Sequence, residues 1–189
     1  TTTATLWLEE DLHYRSTAPL AVPWLWQMLR PSENMQVPVR LPGVLPNEPI
    51  SLTVHAWGQS AMPQDPDHHL RVAWNGEVVE DHFWDGSDAE TWSLLLPGTA
   101  AVDNVLTLEA PGGTEAPVEV TWIDALEVTW RRDLTLDSGA WETWRAESDG
   151  AACWSTDASD ADRVALLVDT EGRVSRSVTT VDAGSGRLR

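Results

Sequence analysis

The chain contains no lysine. All twelve of its basic residues are arginine, set against 30 Asp and Glu, which leaves a formal charge of −18. A nucleic-acid surface needs a basic footprint, as does a dock for anionic lipid, so neither partner suits so acidic a chain. Cysteine occurs once, as Cys153. No intrachain disulfide can form, and the fold has to be held by its core. No run of about 18 apolar residues is present, which excludes a membrane-spanning helix and membrane insertion by that route. No segment of useful length repeats at 3.6 residues, and no internal repeat is visible. Phe and Tyr occur once each while Trp occurs 12 times. A buried indole needs a partner for its N–H, so this many Trp implies a β-rich core with some of them at the surface. The chain opens on Thr and reads as a fragment or a processed product, so the lack of a leader carries no information.

What is present is period two. With 42% hydrophobic residues in 189, the chain can bury a core of ordinary size. Residues 4–10 predict a strand with Leu6 and Leu8 on one side. Residues 20–30 predict an edge strand or extended loop, since Pro23 interrupts the alternation of Trp24, Trp26 and Met28. Residues 34–41 align Met35, Val37, Val39 and Leu41, with Pro38 again marking an edge. Residues 50–57 turn Ile50, Leu52, Val54 and Ala56 inward and His55 and Trp57 outward. Short strands follow at 91–96 and 104–110, then a long one at 118–130, a weak one at 140–146, and a hairpin from 163–169 and 173–181. Some ten short strands at this spacing predict an all-β fold, a two-sheet antiparallel sandwich. We expect one domain over residues 1–182, with 132–182 completing the same sandwich. About 58 residues without disulfides would make a marginal domain alone. Residues 183–189 read as a flexible tail.

The sharpest local signal is Asn75-Gly76 between two β-rich runs. Both central positions of a type I′ hairpin need φ > 0, and this pair supplies them. Opposed residues then sum to 151, which sets Trp74 against Glu77, Val72 against Val79 and His69 against His82. Leu70, Val72, Trp74, Val79 and Phe83 should face the core, and His69, His82, Arg71 and Glu80 the solvent. In the 118–130 strand, Asp124 falls on the same side as Val120, Trp122, Leu126, Val128 and Trp130. A lone buried carboxylate is costly, so either a bulge re-aims it, or it is paired or metal-bound.

The runs Pro66-Asp67-His68-His69-Leu70-Arg71-Val72-Ala73-Trp74-Asn75-Gly76 and Phe83-Trp84-Asp85-Gly86 resemble a known module. It is the β-sandwich region that precedes the catalytic domain in large secreted bacterial proteins of the gingipain-type cysteine peptidase family. Trp24-Leu25-Trp26, Val39-Arg40-Leu41-Pro42-Gly43, Trp122 to Val128 and Val164 to Asp169 fit the same pattern. The resemblance implies a jelly roll of galactose-binding-like type, at the cell surface or outside it, whose partner is a neighbouring domain of the same polypeptide or a cell-surface glycan. It does not carry the peptidase activity over. The catalytic part of that family needs a His-Gly pair and a nucleophilic Cys. No His here precedes Gly, and Cys153 sits in Ala-Ala-Cys-Trp-Ser. The chain is therefore expected to be a non-catalytic accessory module, with a carbohydrate-binding module as the alternative.

Three groups of residues are candidate sites. Trp57, Trp24, Trp26 and Trp84 could form a sugar-stacking platform, with core packing the competing reading. His69 and His82, if opposed across the hairpin, stand near enough to share a metal with Asp67, although a structural pair of imidazoles is the commoner outcome. The third group rests on the resemblance. Jelly rolls of this type hold a structural Ca²⁺ on acids near the first and last strands, which points to Glu9, Glu10 and Asp124. The fold requires no cofactor. Asp157, Asp160 and Asp162 lack the spacing of a calcium-binding loop and read as a solvated turn.

Overall fold

The computed structural model describes residues 2–99 and 101–133 with their burial, and beyond them the backbone of five short strands. The chain divides into two units, one of Ala4–Arg131 and one of Thr1–Thr3 with Arg132–Arg189.

In the larger unit eight long strands carry the fold. They are β1 (Thr2–Leu8), β5 (Glu33–Arg40), β6 (Ile50–Gly58), β7 (His68–Trp74), β8 (Glu77–Trp84), β9 (Ala89–Leu96), β10 (Asp103–Ala110) and β11 (Thr121–Arg132). One sheet runs β1-β11-β6-β9 and the other β5-β10-β7-β8. Lettered B to I in chain order, these are B-I-D-G and C-H-E-F, the strand orders of a jelly roll. The inner faces meet in one core that includes Val37 and Val39 of β5, Leu52 and Val54 of β6, Leu70 and Val72 of β7, Leu106 and Leu108 of β10, and Leu126 and Val128 of β11. The alternation read from the sequence is what fills it. Pro38 lies on β5, an edge strand, where a missing N–H costs no ladder bond.

Three short strands, β2 (His13–Tyr14), β3 (Trp24–Leu25) and β4 (Gln27–Leu29), form a strap. β2 pairs with β3, and β4 pairs with the start of β11. The strap covers a second, smaller cluster made of Leu25, Trp57 and Trp122, with Ala18, Leu20, Met28 and Val120 around it.

Asn75 and Gly76 take φ of 52° and 86°, as a type I′ turn requires. Asn75 is also pinned from the side. Its Nδ2 donates to Asn104 Oδ1, and its Oδ1 accepts from the N–H of Val105. The expected register holds for Trp74↔Glu77 and Ala73↔Val78, then fails. A bulge between Val72 and Ala73 makes Val79 an extra residue of β8, so Val72 faces Glu80, Leu70 faces His82 and His69 faces Phe83. Phe83 is consequently exposed, and His82 turns to the inner side of the sheet with Trp84. One inserted residue reverses every later side chain, which is how a bulge defeats a register count.

In the second unit β12 (Thr135–Leu136) pairs parallel with β13 (Trp154–Thr156), and β13 pairs antiparallel with β16 (Arg187–Leu188). β14 (Ala165–Val168) and β15 (Val174–Ser177) form the hairpin expected there. The strand at 140–146, Cys153, the 157–162 turn and most of the 132–182 completion lie outside the described residues. Among the described residues no helix is long and apolar enough to cross a membrane.

Candidate functional site

Two regions bring chemically active side chains together. The first is the end of the sandwich organised by Asp67-His68-His69. Asp67 is fully buried. Its Oδ2 accepts from the N–H of Met62 at 2.6 Å and its Oδ1 from the N–H of Gly86 at 2.9 Å. His68, also fully buried, donates from Nε2 to the carbonyl of Ser60 at 2.9 Å. That leaves Nδ1 to accept from the Thr121 hydroxyl at 3.3 Å. Its ring stacks on Trp84 at 4.9 Å. A Cβ on Gly58 would stand 2.5 Å from His68 Nε2 and 2.7 Å from the Gly86 carbonyl, so only glycine fits there. His69 points to the other face of the sheet. Its N–H donates to Glu119 Oε1, its Nδ1 bonds the Gly112 carbonyl at 2.8 Å, and its Nε2 bonds Asp81 Oδ1 at 2.8 Å. The Arg71 guanidinium, with desolvation opposing and His69 assisting, holds the Asp81 carboxyl below its ordinary value.

These contacts dissolve the proposed histidine metal pair. His69 and His82 lie on opposite faces of one sheet because of the Val79 bulge. Asp67 spends both oxygens on backbone donors. His82 stacks on Trp92 at 3.9 Å, with Nε2 at 3.2 Å from Glu90 Oε1 and Nδ1 at 3.5 Å from Glu80 Oε1. Since β8 and β9 are the edge strands of the two sheets, His82 clasps one sheet to the other.

The second region is a groove on the outer face of the β1-β11-β6-β9 sheet. β11 carries a bulge between Ile123 and Ala125, which makes Asp124 its extra residue. This answers the conflict seen in the sequence. Ile123 faces the core before the bulge and Leu126 after it, while Asp124 is re-aimed outward. The same bulge corrects the expected face of Trp122. It pairs with Trp57 on the outer side of the sheet, under the strap. Asp124 opens into a groove of about 310 Å³ lined by Trp7, Glu9, Asp11, Leu20, Val22 and Trp24 among others. Trp7 is 50% exposed and Trp24 42%. Tyr14, also exposed, lies 5.4 Å from Trp24. His55 lies 5.1 Å from Trp7, its Nδ1 shares a hydrogen bond with the Thr91 hydroxyl, and its Nε2 is buried without a partner among the described residues. Burial, then the charge of Glu9, pushes the Asp124 carboxyl above its ordinary value, with Asp11 adding to the rise and His55 opposing it.

A carboxyl raised in the folded state weakens folding as pH climbs from its unfolded value, ordinarily 3.8, through the raised one. Below both values the penalty vanishes. Asp124→Asn should therefore raise the melting temperature at neutral pH and give no gain in acid below the ordinary value. Paired thermal melts would decide this, and a neutral-pH loss would refute the placement of Asp124.

Of the four candidate tryptophans only Trp24 presents a face. Trp57 is 2% exposed, Trp84 8%, and Trp26 packs against the core. The sequence reading missed Trp7, Asp11 and Tyr14. Trp7 was legible, since it alternates with the inward Leu6 and Leu8. Glu9 and Asp124 do meet in the groove, whereas Glu10 is not among its lining residues. Among the described residues no three His, Cys, Asp or Glu form a group that could hold a metal ion. The two acids that meet, Glu9 and Asp124, offer four carboxylate oxygens against the six to eight that Ca²⁺ takes. A second groove of about 520 Å³, lined by His13, Arg15, Gln27, Ser32, Asn34 and Trp122 among others, opens on the far side of the strap. There the Arg15 guanidinium sits 4.6 Å over the Trp122 ring.

No family model matches the sequence, and no curated protein matches it. Solved structures do. Dimeric latent PorU from Porphyromonas gingivalis superposes with a TM-score of 0.74 at 11% identity, covering 99% of this chain and 18% of that one. The CBM36-1 domain of a multidomain xylanase from the hindgut metagenome of Trinervitermes trinervoides gives a TM-score of 0.47 at 10% identity, covering 67% of this chain and 96% of that one. The chain thus spans under a fifth of the PorU chain's length, and at this identity the likeness establishes the all-β sandwich fold.

Proposed function

We propose that this chain is a non-catalytic jelly-roll module of a secreted bacterial polypeptide, acting at the cell surface or outside the cell, and that it supports a neighbouring gingipain-type peptidase domain. The observation that carries this reading is the superposition on PorU, which takes in nearly all of this chain and only 18% of that one. A module of this relative size is a part working beside other parts. The histidine chemistry agrees. His68, His69 and His82 each face partners with both ring nitrogens, in contacts that fasten loops and sheets. In this proposal residues 132–182 belong to the same module.

The test is deletion of residues 4–131 from the full polypeptide. The neighbouring domain should then lose protease resistance and yield, while the isolated chain cleaves no peptide substrate. A neighbouring domain that folds and works normally after the deletion would sink the proposal.

A further inference from the structure

The outer groove gathers features that the accessory reading leaves unexplained. Five large apolar side chains between residues 7 and 24 are exposed, namely Trp7, Leu12, Tyr14, Val22 and Trp24. Isolated apolar residues at a surface need no account, but Trp7, Val22 and Trp24 line one groove, with Tyr14 beside Trp24, and such a patch marks an interaction site. Glu9, Asp11 and Asp124 stand in the same groove, and none of the three carboxylates takes part in an ion pair or hydrogen bond with a described residue. His55 adds a buried Nε2 without a partner close to Trp7.

We propose that this groove docks an arginine side chain carried by an extended, aliphatic-rich stretch of polypeptide from outside this chain. Charge decides the class of occupant. Three carboxylates give the groove a negative lining, and neutral sugar hydroxyls would bond them without neutralising it. A guanidinium neutralises the site, bonds carboxylate oxygens in pairs, and stacks on an indole face. The chain already uses the last contact internally, with Arg15 of the strap laid over Trp122 of β11. Size agrees, since about 310 Å³ is at the lower end for a small-molecule pocket and suits one side chain better than an oligosaccharide. The exposed Val22 in the groove and Tyr14 beside Trp24 then receive the aliphatic residues on either side. The choice of a polypeptide partner rests on the accessory-module reading. A free peptide added in trans tests the groove without the rest of the polypeptide, so its failure is separable from the outcome of the deletion experiment.

The probe is acetyl-Leu-Arg-Leu-Arg-Leu-amide, titrated into the ¹⁵N-labelled 189-residue chain. Ionic strength is held at about 150 mM, where charges more than about 8 Å apart are largely screened. The Trp7 and Trp24 indole N–H signals, assigned with Trp7→Phe and Trp24→Phe, should shift together. Asp124→Asn should weaken binding about ten-fold, the loss expected of one desolvated charge pair. Glu77→Gln, which removes an equal charge at the hairpin turn of the other sheet, should change it less than about two-fold. Three results would overturn the proposal. They are no shift of the two indoles, equal weakening by both charge variants, and indole shifts with xylotetraose but not with the peptide.

Discussion

Replacing Asp67 by alanine should destabilise the larger unit more than any other change to a polar side chain in it. Asp67 is fully buried and accepts two backbone hydrogen bonds from opposite sides, the N–H of Met62 and the N–H of Gly86. Alanine leaves both donors without an acceptor, at about 1–3 kcal/mol each. His68 would lose the Asp67 Oδ1 that stands 3.4 Å from its Nε2, and the loop that supplies its Ser60 acceptor would lose its anchor at Met62. A total loss of about 2–5 kcal/mol follows, or roughly 5–15 °C in Tm for a chain of this size. Asp67→Asn discriminates the cause. Asparagine keeps one acceptor oxygen and sets an NH₂ against the other N–H, so it should recover only part of the loss. If alanine and asparagine variants melt with the parent, the loop is not held by this carboxylate.

That prediction also bears on what the sequence could reveal. The Asn75-Gly76 turn was legible because its requirement is local, two residues at positive φ between alternating runs. Strand existence was legible for the same kind of reason, since Val, Leu and Trp at period two have one economical use. The Val79 bulge was not. It depends on where β8, an edge strand, must bring His82 and Trp84 to meet Trp92 of the opposite sheet. No short window of sequence carries that demand. The Asp124 bulge lies between these cases. A carboxylate on an apolar face announced a conflict, and a bulge was one of its named solutions, but the groove it opens is made by a strap more than a hundred residues earlier.

The histidines show the same limit. His69 and His82 drew notice, with Asp67, as a possible metal site because the residue types suit one. The real work of Asp67-His68-His69 is fastening, and the partners that show it are the carbonyls of residues 60 and 112, the N–H groups of residues 62 and 86, the Thr121 hydroxyl and the carboxylates of Asp81 and Glu119. Backbone acceptors have no signature in a sequence, so a buried structural histidine and a ligand look alike until the fold is known.

Trp57 carries the second large prediction, and it turns on the same distinction between surface and cover. By alternation Trp57 faces away from the jelly-roll core, and so it was read as a residue that could meet a sugar. It does face outward, yet it is 2% exposed, because the strap lays Leu25 over it beside its cross-strand partner Trp122. Trp57→Ala should therefore act on stability. Emptying a closed site of this volume costs about 3–5 kcal/mol, read as a lower denaturant midpoint with an unchanged m-value. Trp24→Ala, at the open end of the same strap, should stay within about 0.5 kcal/mol of the parent. The pair of variants separates the two roles cleanly. Equal stability in both would mean that the strap does not cover Trp57, and the second hydrophobic cluster would have to be abandoned.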